Sequence, residues 1–191
     1  MEAQEDIRKQ KKDNKKKEHG PLRWAVQIFF ISIALSAVLS LLSSEMLRGA
    51  GLAASFAILA GFIGLGILFD IIGVSVTTAD EKPFHSMAAR KVPGAKEALR
   101  LIRSADKVSS FCNDVVGDIC GIVSGTTAAV IVVALGKLVP VQAALLSLLV
   151  TALVSGLTIG GKALGKNFAI KSSVRVVYTV GRIVHVFHKA K

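Results

Sequence analysis

Long stretches of this chain lack charge altogether. No charged residue interrupts Trp24 to Ser44, and comparably apolar runs, broken only by isolated acids, occupy Gly51 to Ala79, Val108 to Gly136 and Leu138 to Gly161. With 52% hydrophobic residues, Lys+Arg 24 and Asp+Glu 13, the charges are segregated rather than interspersed, which excludes an ordinary water-soluble core. Cysteine is nearly absent as well. Cys112 and Cys120 both fall inside the third apolar run at a spacing that fits neither a disulfide framework nor a metal site, so both read as small packing residues. No segment between the runs is long enough for a separate globular domain, and no A-x-A cleavage site follows the first run, so a cleaved signal peptide is not expected.

What remains is an all-α integral membrane protein with four transmembrane helices and cytoplasmic juxtamembrane amphipathic helices. Each run suffices to cross a bilayer, because about 20 apolar residues rising ~1.5 Å each span a hydrocarbon core of ~30 Å. The expected spans are 24–46, 51–77, 108–136 and 139–161, within a membrane domain over 24–167 that includes a helical loop at 80–107. Orientation follows from the basic residues, since Lys and Arg in short loops resist translocation. Residues 1–23 carry eight Lys/Arg, 77–108 carry seven and 162–191 carry seven, whereas the loops around Arg48 and Lys137 carry one each. Both termini and the loop 80–107 are therefore expected in the cytoplasm, with the protein in the cell membrane.

The segments outside the spans differ in character. Residues 1–23 are Lys-heavy with almost no apolar side chains, and read as a disordered tail that can meet anionic inner-leaflet lipid rather than nucleic acid. In the middle loop, Ala95, Ala98, Leu99, Leu101 and Ile102 recur at helical spacing with Lys96, Arg100, Arg103 and Lys107 between them. This pattern predicts a basic amphipathic helix lying on the inner membrane surface. Residues 168–191 repeat that chemistry, with Val174, Val177, Val184 and Phe187 placed to face lipid and Lys171, Arg175 and Arg182 to face phosphates. The alternation from Val174 to Val180 also fits a strand, but an unpaired strand edge at a bilayer is costly, which favours helix.

Three carboxylates interrupt the apolar runs: Asp70, Asp114 and Asp118. A charge at the bilayer centre costs ~2.5 kcal/mol or more, so an acid in a span needs a partner, a cavity or water. Asp114 and Asp118 are four apart and share a helix face, while Asp70 reaches a similar depth from the preceding span. Convergence of the three would make an oxygen-rich site for a hard cation such as Mg²⁺, with Ser75, Thr77, Thr78 or Asn113 as neutral ligands. Alternatively the acids are hydrated or are neutralised by Lys162 at the end of the fourth span. Gly117, Gly121 and Gly125, then Gly156 and Gly160, and Gly161 and Gly165, form small-residue stripes suited to close packing within the bundle or to a homodimer seam.

Two motifs carry no chemistry. Gly156-x-x-x-x-Gly161-Lys162 looks like a phosphate loop, but Ala163 stands where Ser or Thr is required. His185 and His188, three apart in a basic tail, read as interfacial rather than metal-binding residues. No nucleophile, base and orienting group are set out together, so no enzyme is expected.

Phe69-Asp70-Ile71-Ile72-Gly73, then Pro93-Gly94-Ala95-Lys96-Glu97-Ala98-Leu99-Arg100-Leu101-Ile102 and Asp106-Lys107-Val108, resemble the transmembrane domain of the CorB/CorC and CNNM magnesium and cobalt transporters. In that family a Phe-Ser-Gly-Ser-Glu type motif ends the first core span, and a cytoplasmic helix with Gly-Ala-Lys-x-Ala-Leu leads through Asp-Arg-Leu into the next. The correspondence runs without a gap from Phe69 to Val108. The family's Asn-x-x-x-Asn pair falls on Asp114 and Asp118 when two residues are missing before it, and its Gly-Glu-x-x-Pro-Lys resembles Gly161 to Lys166. The likeness covers residues 51–187, with the span at 24–46 an addition. It implies a divalent-cation transporter in which Asp70, Asp114 and Asp118 replace neutral Mg²⁺ ligands and Lys162 replaces an acidic one. The regulatory nucleotide-binding domains of the family have no counterpart here, so no ATP-linked control is expected. The competing expectation is a non-transporting accessory protein in which Lys162 holds the aspartates as counter-ions.

Overall fold

The structure is a computed structural model that describes the backbone over residues 2–189 and the side chains over 24–187. Among the described residues every regular element is helical: α1 (Glu2–Leu47), α2 (Leu52–Thr78), α3 (Lys82–Ala89), α4 (Ala95–Arg103), α5 (Ala105–Ser110), a π-helical segment (Phe111–Val116), α6 (Gly117–Gly136) and α7 (Ala143–Lys189). Four stretches are long and apolar enough to cross a membrane: Trp24–Leu47, Leu52–Thr78, Ala105–Gly136 and Ala143–Phe187. The chain is thus an all-α, multi-pass membrane protein. The chain divides into two units, residues 1–38 and 39–191. The expectation of a disordered tail at 1–23 falls on residues whose side chains lie outside those described.

Within the unit from Leu39 onward, α2 is the central element and packs on both α6 and α7. Close approach is possible because glycines face the neighbouring helices. A Cβ on Gly161 would overlap Ile67 Cδ1, and one on Gly165 would lie 3.0 Å from Ile71 Cγ1. Gly161 and Gly165 therefore serve packing inside the bundle, while Gly121, Gly125, Gly156 and Gly160 meet nothing within 4 Å. Outward-facing Leu148, Leu153, Leu157, Ile159 and Leu164 of α7 are exposed, as lipid-facing side chains are. At the far end of the unit, Ser43 Oγ and Thr127 Oγ1 lie 3.3 Å apart, tying the last turns of α1 to α6.

Two expectations about the juxtamembrane helices are corrected. The amphipathic helix α4 does not spend its apolar face on lipid: Ala95, Ala98 and Leu99 are buried, and a core of Val76, Phe84, Ala98, Leu99 and Val177 joins α2, α3, α4 and α7. Gly181 makes this possible, since a Cβ there would lie 2.6 Å from Gly94 O and 2.9 Å from Ala98 Cβ. Gly94 also caps α4 at φ 86°, a left-handed conformation that glycine adopts without steric cost. Correspondingly, Val177 is fully buried and Val174 half-buried rather than facing lipid, while Val184 and Phe187 remain exposed. The second correction concerns the boundary at 168. α7 runs through it as helix, and its break falls instead at Ser172, with φ −120° and ψ 19°. Residues 174–180 are helical, not a strand.

Candidate functional site

Asp70 sits on α2 between two glycines of the same face, Gly66 one turn before it and Gly73 one turn after. Gly66 abuts α6, where an added Cβ would lie 3.2 Å from Cys120 Cβ and 3.9 Å from Gly117 O. Gly73 abuts the π-helical segment so closely that an added Cβ would overlap Asn113 Oδ1. Asp70 is therefore held against the junction of the π-helical segment and α6. It is 5% exposed, and its Oδ2 is buried without a hydrogen-bond partner.

Asn113 supplies a second oxygen in the same condition. Its Nδ2 donates to Ser109 Oγ at 3.2 Å, which turns the carbonyl toward α2. There Oδ1 is buried and unpartnered. Two oxygens, one of them a carboxyl's, thus lie on abutting helix faces within the bundle with no hydrogen-bond partner for either.

Asp114 and Asp118 do not join them. Both are exposed, and among the described residues no group of three or more His, Cys, Asp or Glu side chains is placed to hold a metal ion. The expected convergence of Asp70, Asp114 and Asp118 is corrected accordingly. The reason lies in helical phase: neighbouring residues of a helix point about 100° apart, so turning Asn113 toward α2 turns Asp114 away. Asp118, one turn further along, follows Asp114 outward. The other neutral ligand candidates are engaged elsewhere. Ser75 Oγ donates to Ala169 O at 3.5 Å, Thr77 Oγ1 to Val74 O at 2.9 Å and Thr78 Oγ1 to Val74 O at 2.8 Å.

Lys162 approaches from α7. A Cβ on Gly117 would lie 3.5 Å from its Nζ, so the ammonium reaches the same junction, half-buried. The ion pairs among the described residues are Arg48–Glu45, His85–Glu81, Arg103–Glu81 and His185–Glu97; within 4.0 Å, Lys162 pairs with no carboxylate among them. One further buried polar atom, Ser124 Oγ, is unpartnered deeper in the bundle, and nothing in its sequence setting of small residues distinguishes it.

On the basic side of the bundle, His185 of α7 bonds Glu97 of α4 at 3.1 Å, a role its spacing from His188 does not indicate. The His185 contact, then the backbone N–H of Glu97 and the nearby Arg100, outweigh burial and hold the Glu97 carboxyl below its ordinary value. The side chain of His188 lies outside the described residues.

No protein-family model, curated protein or solved structure matches the chain.

Proposed function

We propose that this chain is a membrane protein that binds a divalent cation, Mg²⁺ or Co²⁺, in the manner of divalent-cation transporters, through Asp70 and Asn113. The carrying observation is the pair of buried, donor-less oxygens on abutting faces of α2 and the π-helical segment. An ionised Asp70 has no proton to give the Asn113 carbonyl, and an unpaired polar atom in an apolar interior costs ~1–3 kcal/mol. A hard cation satisfies both at once. Mg²⁺ suits a site with few protein ligands because it keeps several waters and takes only one or two carboxylates. Support also comes from the π-helical segment, since such segments are frequent at functional sites in helices. Asp114 and Asp118, exposed one turn apart, then supply outer negative charge rather than ligands. The concentration of basic residues favours a cytoplasmic location for both termini and for the loop holding α3 and α4, in the cell membrane.

One observation favours a second reading. Lys162 Nζ reaches the same junction, and an ammonium donor there would neutralise Asp70 in a non-transporting accessory protein. Mg²⁺ titration of the purified protein, read by calorimetry, separates the two. Saturable binding is expected in the wild type and in Asp114→Asn, and its loss in Asp70→Asn. A wild type that binds nothing, together with a Lys162→Glu variant that does, would establish the counter-ion reading instead.

A further inference from the structure

The break in α7 opens a cavity of about 330 Å³ whose chemistry is unlike that of the cation site. Its walls are Lys171, Ser172, Ser173, Arg175 and Tyr178 of α7, closed from the side by Met87 of α3. Two cations and three hydroxyl groups therefore line one small space, and no acid contributes to it. No Asp or Glu occurs anywhere from Phe168 to His188. Neither Lys171 nor Arg175 takes part in any ion pair among the described residues. Both side chains line the one cavity, and like charges gathered in a small space repel unless an anion lies between them.

The depth of this cavity identifies its environment. Ala169, just before the break, accepts the Ser75 hydroxyl, and Val177, just after it, packs with Val76, so the cavity lies beside the last turns of α2. α2 has 27 residues, about 40 Å of helix at ~1.5 Å per residue, against a hydrocarbon core of ~30 Å. The helix is thus longer than the core, and Asp80, Glu81 and Lys82, which follow it directly, draw its last turns to headgroup level on the basic side, where phosphate is the abundant anion. Guanidinium and ammonium groups bind phosphate by charge-assisted hydrogen bonds, and hydroxyls complete the shell.

We infer that this cavity is a binding site for a phosphate group, supplied by the headgroup of an anionic phospholipid. A free phosphate shares the chemistry and is distinguished by the test. Native mass spectrometry of the detergent-purified chain would compare retention of dioleoylphosphatidylglycerol with that of dioleoylphosphatidylcholine. The expected result is a preference of about tenfold or more for the anionic lipid, consistent with the attraction of two basic groups at a charged interface. Lys171→Gln with Arg175→Gln should abolish the preference. Lys96→Gln with Arg100→Gln, an equally spaced exposed pair on α4, should leave it intact. Added inorganic phosphate that displaces the lipid would identify free phosphate as a competing source of the same ligand; failure to displace it would assign the site to lipid alone. No preference in the wild type, or equal loss in both double variants, would overturn the proposal. None of these variants touches Asp70 or Asn113, so the result stands apart from Mg²⁺ binding.

Discussion

At the scale of single residues, the decisive contact is that of Gly73 with Asn113. An isolated Asp inside an apolar run announces itself, because every neighbour is apolar and the charge is costly there. Asn113 is quieter: it neighbours the conspicuous Asp114, and only the absence of a Cβ at Gly73 lets its carbonyl occupy the space beside α2. Gly73→Ala is expected to destabilise the protein by about 1–3 kcal/mol through overpacking, read as a lower melting temperature in detergent. Asn113→Ala in the same chain should recover part of that loss by vacating the space, giving a coupling between the two positions. Gly121→Ala, where an added Cβ meets nothing within 4 Å, should be neutral or stabilising, as the removal of a helix glycine is. Equal effects of Gly73→Ala and Gly121→Ala would show that Asn113 does not fill that space.

At the scale of elements, the α4–α7 contact makes a pH-dependent prediction. Glu97 titrates below its ordinary value of 4.5 because His185 bonds it. A carboxyl lowered in the folded chain contributes stability that is complete above the unfolded value and is lost as pH falls through the folded one. Docking of α4 onto α7 should therefore hold at neutral pH and weaken below about 4.5. The partly exposed pair contributes no more than about 1 kcal/mol. Hydrogen exchange along α4 checks this: wild type should lose protection on acidification, whereas Glu97→Gln should be less protected at neutral pH and lack the acid step. Identical profiles for the two chains would remove the pair from the docking contact. The four spans are legible in the sequence because a bilayer asks only for length and apolarity, which Trp24 to Ser44 or Leu138 to Gly161 display directly. The partner of α4 is not legible. Periodicity of Ala95, Ala98 and Leu99 shows that one face is apolar, but lipid and a protein core accept such a face equally, and Gly181, 82 residues beyond Leu99, decides between them. Helical phase in the third span is hidden for a similar reason: nothing in Phe111 to Val116 marks the π-helical segment, and the facing residue shifts from the expected Asp114 to Asn113.

For the whole molecule, orientation in the bilayer is the property on which the location of both sites depends. Of the 24 basic residues, 22 lie in residues 1–23, 77–108 and 162–191, and the loops at Arg48 and Lys137 hold the other two. Four successive crossings of a bilayer must alternate in direction, so these loops lie on the opposite side from the basic segments whichever way the chain inserts. Moving the Lys and Arg of short loops across the membrane is what insertion resists, and 22 against two is a strong bias toward a cytoplasmic basic side. Single cysteines test it directly. Both native thiols, Cys112 and Cys120, are buried, and can be replaced by Ala before one cysteine is introduced at a time. A membrane-impermeant maleimide added to intact cells is expected to label Gly49→Cys and Lys137→Cys, and to reach Lys91→Cys and Lys96→Cys only after the cells are opened. The reverse pattern would invert the molecule, placing the loop with α3 and α4 and the Lys171 and Arg175 cavity toward the exterior, where the supply of anionic headgroups differs. Labelling at all four positions in intact cells would indicate two populations of opposite orientation, in which case any cation flux would have no fixed direction.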